Sequence, residues 1–511
     1  MPARTGSAYI QSLKDGREVW LDGRRIPDVT CEPSLRPVIQ ATAALYDLQH
    51  DPKYRDLLTV EDQDLGERIG RTYQMPRSSA DLVARRQAIT LWMEQSGGFL
   101  GRSPDFLNTM LAAMRAKSGF FAQQSKDRQA AVESYYAHAA RTDLFLTHSL
   151  HDPQLDRSKR RSQQPDPELA LHVVEETEEG LIISGGKMVA TAAAYANDIL
   201  LWPAVPNFGP GDEPYALACC IPVATKGVRV ICRPSFAHPN AARDYPLSSH
   251  FDEMDAAVIF ERALVPWDRV FLHGDNRLIV EMYPKTRIRE LTAHQTNTRL
   301  LVKLEFLYAM LVRLAEAVGR QGSAMTNVML GEAATHVEII RSSVLASEYQ
   351  AAIDPQNGVL YPDFSSLMVG RIMGPQVYPE FMQKIRRIGS SALMQVPASA
   401  DDFDTDLKSD LERYYQAANL SARGRTMLLR YAWDASSTDL ASRHSLYEMF
   451  YAGDPEMNLD RMHREYPHQS DLLARFDRFL RRLVEDDGDA IGGNTKKSSV
   501  NNWRSGMEEP G

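Results

Sequence analysis

LALHVVEETEEGLIISGGKMVA, residues 169–190, marks where the hydrophobic period of the chain changes from helical to strand-like. The change holds from about Thr147 to Asp275, through DILLWPAV, YALACCIPV, GVRVICRP and DAAVIFERALVPWDRVFL. These runs are short, separated by Gly, Pro and Asn turns, and no helical pattern intervenes, so the spacing predicts an antiparallel sheet closed as a barrel or stacked as a sandwich.

On the N-terminal side the period is helical. Val38, Ala41, Leu45 and Leu48 recur at helix spacing, as do Leu107, Met110, Leu111 and Met114. Ahead of them, Val19, Leu21 and Ile26 alternate around Asp22-Gly23, which predicts a small entry hairpin. On the C-terminal side the helical period returns at Ile279 and holds to about Glu485, predicting a bundle of four long helices. The expected organisation is therefore a helical domain over 1–146 with its hairpin, a β-domain over 147–277, a helical bundle over 278–485 and a polar, mobile tail over 486–511. No strand leads into a G-x-G-x-x-G or Gly-Lys-Ser/Thr loop, so a doubly wound nucleotide fold is excluded.

Composition narrows the class. Hydrophobic residues make up 43% and charged residues 24% of the 511, as in globular proteins. The net charge of −9 is spread without a basic block, which argues against nucleic acid and anionic membranes as partners. No run approaches the ~20 apolar residues of a membrane span, and the first residues lack an apolar signal core, so a cytoplasmic location is expected. Cys31, Cys219, Cys220 and Cys232 have no metal-ligand spacing; Cys219 and Cys220 read as core residues of a strand, and no metal site is expected.

Six segments carry possible chemistry. GGFLGRSPDF, residues 97–106, places Arg102 between glycines and Pro104, which suits the first turn of a helix; an anion or electron-rich oxygen is welcome there. THSLHDPQLDR, residues 147–157, packs polar groups at a domain junction, where ligand clefts form. GGKMVATAAAYANDILL, residues 185–201, sets Thr191 among small side chains that allow a flat ligand close to the backbone. SSHFDEMDAAVIFERALVPWDRVFL, residues 248–272, carries Asp252, Glu253 and Asp255 at the mouth of an apolar strand. RELTAHQTNTRLLVKLEFL, residues 289–307, puts His294 near the front of a long helix, and ASRHSLYEMFYAGDP, residues 441–455, offers Arg443, His444 and Tyr447. Each also reads alone as a corner, a solvated loop, tight strand packing, a turn cap or a structural helix residue.

In register, these strings resemble the oxygenase components of the 4-hydroxyphenylacetate 3-monooxygenase family, which includes chlorophenol and nitrophenol monooxygenases. The likeness runs from RTGSAYIQSLKDGREVWLDG at residues 4–23, through GRSPDF, THSLHDPQLDR, HFDEMDAAVIF and LVPWDRVF, to YEMFYAGDP at 447–455. The resemblance implies an α+β, acyl-CoA dehydrogenase-like fold: an N-terminal helical domain, a central antiparallel β-barrel and a C-terminal four-helix bundle, assembled as a homotetramer. It implies reduced FAD from a separate NAD(P)H:flavin reductase, O2 as co-substrate and a flavin hydroperoxide that hydroxylates a phenol ortho or para to its hydroxyl, with or without loss of a substituent. Arg102 and His148 would hold and stabilise the phenolic oxygen, and His294 would take its proton. The implied substrate set is Arg102, Phe106, His148, His294 and Ser445; the implied flavin set is Gln154, Arg157, Thr191, Arg233, Asp255 and Arg443.

Two departures matter. The family's tyrosine four places after the arginine is Phe106 here, and its Asn-Pro after the histidine is Asp152-Pro153. The missing hydroxyl argues against 4-hydroxyphenylacetate and for a bulkier halogenated, nitrated or biosynthetic phenol. The related 4-hydroxybutyryl-CoA dehydratase needs cluster-ligating cysteines, and this chain has none between Cys31 and Cys219 or after Cys232. The alternatives left are a dehydrogenase or a catalytically silent flavin-binding protein of the same fold.

Overall fold

The hairpin Glu18–Leu21/Arg24–Ile26 turns at Asp22-Gly23, both with positive φ, and does not stand alone. Its first strand pairs in parallel with Val228–Cys232, so the N-terminal residues complete a six-stranded sheet. That sheet continues through Ala256–Pro266, Gly180–Lys187 and His172–Glu176 by antiparallel pairing. A second, four-stranded sheet has the order Val270–His273, Leu217–Pro222, Asp198–Leu201, Leu146–Ser149. This computed structural model describes residues 3–153, 156–204 and 207–484.

The strand-like runs thus form strands, but two expectations need correction. The β-region is two separate sheets with no closed barrel among the described residues, and it is not purely antiparallel. Besides the hairpin pairing, Leu146–Ser149 runs parallel to Asp198–Leu201. Periodicity fixes which face a side chain takes but carries no information on strand partners. The long strand Ala256–Pro266 bridges the irregularity at Glu261 and Arg262 with a register shift, and Arg262 has φ of 48°.

The expected N-terminal helices are Arg36–Leu48, Ser79–Glu94, Pro104–Ala116 and Lys126–Thr142. Sequence alone missed a hairpin between the first two, Thr59–Asp62 with Glu67–Gly70, closed by Gly66 at φ 66°. Its strands are too short and polar to announce themselves by alternation. Pro104 stands in the first turn of its helix, as its fixed φ favours. That helix is buried on nearly every side, including Asp105, Asn108 and Thr109.

The bundle is built from Ile288–Ala317, Ala324–Tyr349, Phe364–Gly389 and Ala422–Ser437, followed by Asp439–Phe450 across Thr438, whose side chain caps the second helix. Leu300, Leu304, Leu307 and Leu311 meet Val377, Phe381 and Ile385 in its core. Chain up to Leu459 packs as one body; residues from Asp460 form a second, carrying the helix Gln469–Val484. The tail expected over 486–511 lies outside the described residues.

One helix departs from the amphipathic rule. From Thr292 to Arg299, polar side chains replace the apolar stripe: Thr292, His294, Gln295, Thr296, Asn297, Thr298 and Arg299 are all buried, as is Lys303. The charges are matched. Both Arg299 Nη atoms donate to the Glu448 carboxylate at 2.7 Å, and Lys303 Nζ donates to Glu448 Oε1 at 2.8 Å, all three side chains being fully enclosed. Burial alone would push the Glu448 carboxyl up, but Arg299 and Lys303 bring it down to about 2.

Removing Glu448 leaves two buried cations without a counter-charge, so Glu448→Ala is expected to cost about 3–5 kcal/mol in urea unfolding. In the wild type, the stability owed to this carboxylate is present above the unfolded pKa near ~4.3 and declines as pH falls from there toward 2. An E448A variant as stable as wild type would contradict the assignment.

Candidate functional site

The strand Leu146–Ser149 sorts its side chains by alternation. Thr147 Oγ1 donates to the Thr191 carbonyl and Ser149 Oγ donates to the Val189 carbonyl at 3.0 Å, so one face anchors the segment 189–191. His148 points to the other face. There it meets Phe106 edge-on, ring centroids 5.7 Å apart, and Trp202 at 5.9 Å. The first residues of the segment read as a junction, Thr147–Ser149, thus lie in an edge strand, whose pleat aims the histidine.

Arg102 lies on the same side. Its guanidinium carbon sits 4.2 Å from the centroid of Phe106, one helical turn on. Its Nη1 donates to the Tyr447 hydroxyl at 2.9 Å, while Nε is buried without a partner. The loop must come close for this: a Cβ at Gly101 would collide with the Tyr447 hydroxyl, and one at Gly98, φ 76°, with the backbone of Lys303. Burial, and then the Arg102 charge, push the His148 imidazole down to about 3, so it is neutral at physiological pH.

The carboxylates expected at the mouth of the long strand organise the cations. Arg102 donates its backbone N–H to Glu253 Oε1 at 2.5 Å, and Arg443 Nη1 donates to Glu253 Oε2 at 3.1 Å. Asp255 receives Arg443 through Nε at 2.7 Å and Nη2 at 2.9 Å, Arg233 Nε at 3.0 Å and the Thr191 hydroxyl at 2.7 Å. Burial opposes ionisation of Asp255, but Arg443 and Arg233 hold it well below the usual carboxylate range. Asp252 takes Arg233 Nη2 at 2.6 Å. One network therefore links Arg102, Arg443, Asp255, Arg233 and Thr191.

Other expected residues fall elsewhere. His294 is fully buried, its Nε2 at 2.9 Å from Glu348 Oε1, which also accepts from Arg86 Nε at 2.8 Å. Its only described tie toward the Arg102 loop is indirect: the next residue, Gln295, donates to Asp105 at 3.1 Å. Burial lowers the His294 pKa against the pull of Glu348. With Nε2 donating to that carboxylate, Nδ1 is left as a buried lone pair without a partner. The Ser445 hydroxyl donates to the Ala441 carbonyl at 2.9 Å, within its own helix. Arg157 is exposed, and Gln154 lies outside the described residues. The four cysteines are free, and no metal-binding cluster of His, Cys, Asp and Glu occurs among the described residues.

Sequence reasoning missed Lys187. It is buried at the end of strand Gly180–Lys187, and its Nζ donates to Asp152 Oδ1 at 2.6 Å and to the Leu150 carbonyl at 3.1 Å. Arg161 Nε donates to Asp152 Oδ2 at 2.7 Å. The aspartate that replaces the resemblance's asparagine is thus neutralised by two cations and pins the turn beyond His148. A lysine closing an otherwise apolar strand was the available signal.

The helical, sheet and helical order is shared at the level of architecture with an oxygen-tolerant archaeal 4-hydroxybutyryl-CoA dehydratase, TM-score 0.83 at 21% identity over 96% of this chain and 97% of that one. Models for the 4-hydroxyphenylacetate 3-hydroxylase N terminal and C terminal match residues 5–272 and 279–481, and the chain belongs to that family. It is 36% identical to a 4-hydroxyphenylacetate 3-monooxygenase oxygenase component of Thermus thermophilus, over 94% of this chain and 98% of the relative. It is 32% identical to the oxygenase component of a 4-nitrophenol 2-monooxygenase of a Rhodococcus species, over 88% and 86%. A crystal structure of a 4-hydroxyphenylacetate 3-monooxygenase oxygenase component with FAD and 4-hydroxyphenylacetate superposes with a TM-score of 0.89 at 35% identity, covering 95% of this chain and all of that one.

The His148 environment has a measurable signature. The unfolded chain takes up a proton on this side chain near pH 6.5, while the folded site resists to about 3, so its contribution to stability falls as pH drops through that window. The His148 ring resonances are expected to stay unchanged by NMR from pH 8 to 5, and His148→Gln should lessen the loss of stability between pH 7 and 5. A mid-range titration near 6.5 would refute the buried, neutral imidazole.

Proposed function

We propose that the chain is the oxygenase component of a two-component flavin-dependent monooxygenase that hydroxylates a phenol ortho or para to its hydroxyl, using O2 and reduced FAD delivered by a separate flavin reductase. The observation that carries the reading is the cationic, partly unsatisfied donor set facing an aromatic wall: Arg102 with its free Nε, neutral His148, Phe106 and Trp202. A phenolate oxygen satisfies such donors, and an aromatic ring suits such walls.

The residues present fit a flavin. The Thr191 hydroxyl spends its proton on Asp255 and keeps lone pairs for an N–H of a reduced flavin ring. Around it Ala190, Ala192, Ala193 and Ala194 leave the backbone bare, and Ala192 adopts φ 68°, an energetically unfavourable conformation held by its N–H bond to the Met254 carbonyl. Arg443 and Arg233 would flank the ring, and exposed Arg157 would reach the diphosphate. When bound, the reduced flavin supplies electrons to O2 and so an electrophilic oxygen.

The protein's part is to prepare the ring. Arg102 holds the phenolic oxygen and favours its anion, which enriches the ring in electrons. His148, being neutral, orients that oxygen without competing for charge. His294 receives the phenol proton on Nδ1, with the Glu348 carboxylate on Nε2 stabilising the imidazolium. Phe106, Trp202 and the buried helix Pro104–Ala116 exclude water. A homotetramer in the cytoplasm completes the reading; apolar side chains left uncovered on Ala324–Tyr349, such as Met325, Val328 and Tyr349, support an assembly.

Reduced FAD, 18O2 and a panel of substituted phenols mixed with the protein should give product bearing one labelled oxygen. Hydrogen peroxide alone with every phenol would overturn the reading. His294→Ala is expected to lower hydroxylation about 100-fold with FAD binding unchanged; loss of FAD binding instead would remove the base role.

A further inference from the structure

Tyr447 occupies a position that the arginine network leaves unexplained. It lies on the helix Asp439–Phe450, one turn beyond Arg443, and its ring is ringed by cations: Arg102 at 5.2 Å, Arg299 at 5.3 Å and Arg443 at 5.3 Å from its centroid. Tyr451 stacks on it at 4.9 Å with planes 5° apart. Stacking, and the guanidinium groups of Arg299 and Arg443 held by their acidic partners, fix the ring and aim its hydroxyl across Gly101.

That hydroxyl accepts from Arg102 Nη1 at 2.9 Å, yet no acceptor among the described residues takes its own proton. The hydroxyl keeps a spare donor beside the Arg102 guanidinium, so one oxygen can meet both groups. The side chain is only partly covered, as a ligand contact requires. Burial pushes its phenol well above 10, so it is a neutral donor throughout the working pH range. Phe106, whose ring also lies against the Arg102 guanidinium, has no hydroxyl to offer.

From this geometry we infer that Tyr447 is a substrate-contacting residue: its O–H donates to the phenolic oxygen of the substrate alongside Arg102, and it sets the preference for a phenolate at that place. The inference rests on the reading of the site as a phenol pocket. Donation to an anionic oxygen lowers the pKa of the bound phenol, because the charged form gains more from the bond than the neutral one. The same bond strengthens retention of the ligand. Arg102 depends on Tyr447 for its orientation, so a purely structural role would loosen the loop without altering how the remaining donors treat the ligand's charge.

The test uses the full chain and 4-nitrophenol as an optical probe, whose ionised form absorbs visibly. The wild type should bind it with the probe's apparent pKa lowered. Tyr447→Phe should bind about tenfold or more weakly, with the bound pKa moved back toward that of the free phenol. In a second variant, Phe106→Tyr added to Tyr447→Phe returns a phenolic hydroxyl to the neighbourhood of Arg102 and should recover both affinity and the lowered pKa. If Tyr447→Phe, folded by circular dichroism, binds with unchanged affinity and unchanged bound pKa, the inference fails while the phenol pocket stands. Weaker binding with an unchanged bound pKa also overturns it, assigning Tyr447 a structural role. If the wild type leaves the probe's spectrum unshifted at millimolar concentration, the phenol-pocket reading fails, and this inference with it.

Discussion

Glu253 and Asp255, two positions apart at the entrance to the strand Ala256–Pro266, grip Arg443 from the helix Asp439–Phe450 with three hydrogen bonds. The rest of the site hangs from that grip. Glu253 also takes the backbone N–H of Arg102, and Asp255 takes Arg233 and the Thr191 hydroxyl. Sheet, bundle and N-terminal loop therefore meet on two carboxylates. In a half-enclosed place such charges are tolerable only when matched, so each arginine is held to one orientation by the cost of leaving its partner bare.

The bundle repeats this arrangement deeper in. Arg299, Lys303 and Glu448 share no solvent, and Lys303 Nζ also lies 3.0 Å from His444 Nδ1. Because Arg443, His444, Tyr447 and Glu448 fall on adjoining turns of one helix, its outer buried face serves the acidic pair and its inner face serves the core cluster. Tyr447 sits between the two with guanidinium groups on its ring from both. Gly98 and Gly101 are required because the Arg102 loop must lie against Lys303 and Tyr447 with no side chain between.

Much of this was legible beforehand. The helical runs containing Val38 and Leu45, or Leu107 and Met110, became helices with those residues buried, because packing one stripe against a core enforces the 3.6 period. Cys219 and Cys220 lie buried in a strand, as an apolar alternating run implies. The polar hairpin at Thr59–Gly70 was not legible, nor were the parallel pairings of Glu18–Leu21 and Leu146–Ser149. Short polar strands lack a hydrophobic signal, and parallel partners lie far apart in sequence. Lys187 and Glu448 were overlooked for a related reason: a lone charge in a strand or helix looks solvated until its partner is located.

The sequence by itself determined the order of helical, strand and helical segments, the buried stripes and the residue types able to do chemistry, since these follow from local period and side-chain character. Only the tertiary structure decided that Arg102 meets Tyr447, that Asp255 unites Thr191, Arg233 and Arg443, and that His294 is held by Glu348 rather than by the Arg102 loop. Those pairings join residues up to 345 positions apart, and long-range electrostatic matching is settled by the packed geometry of both partners together.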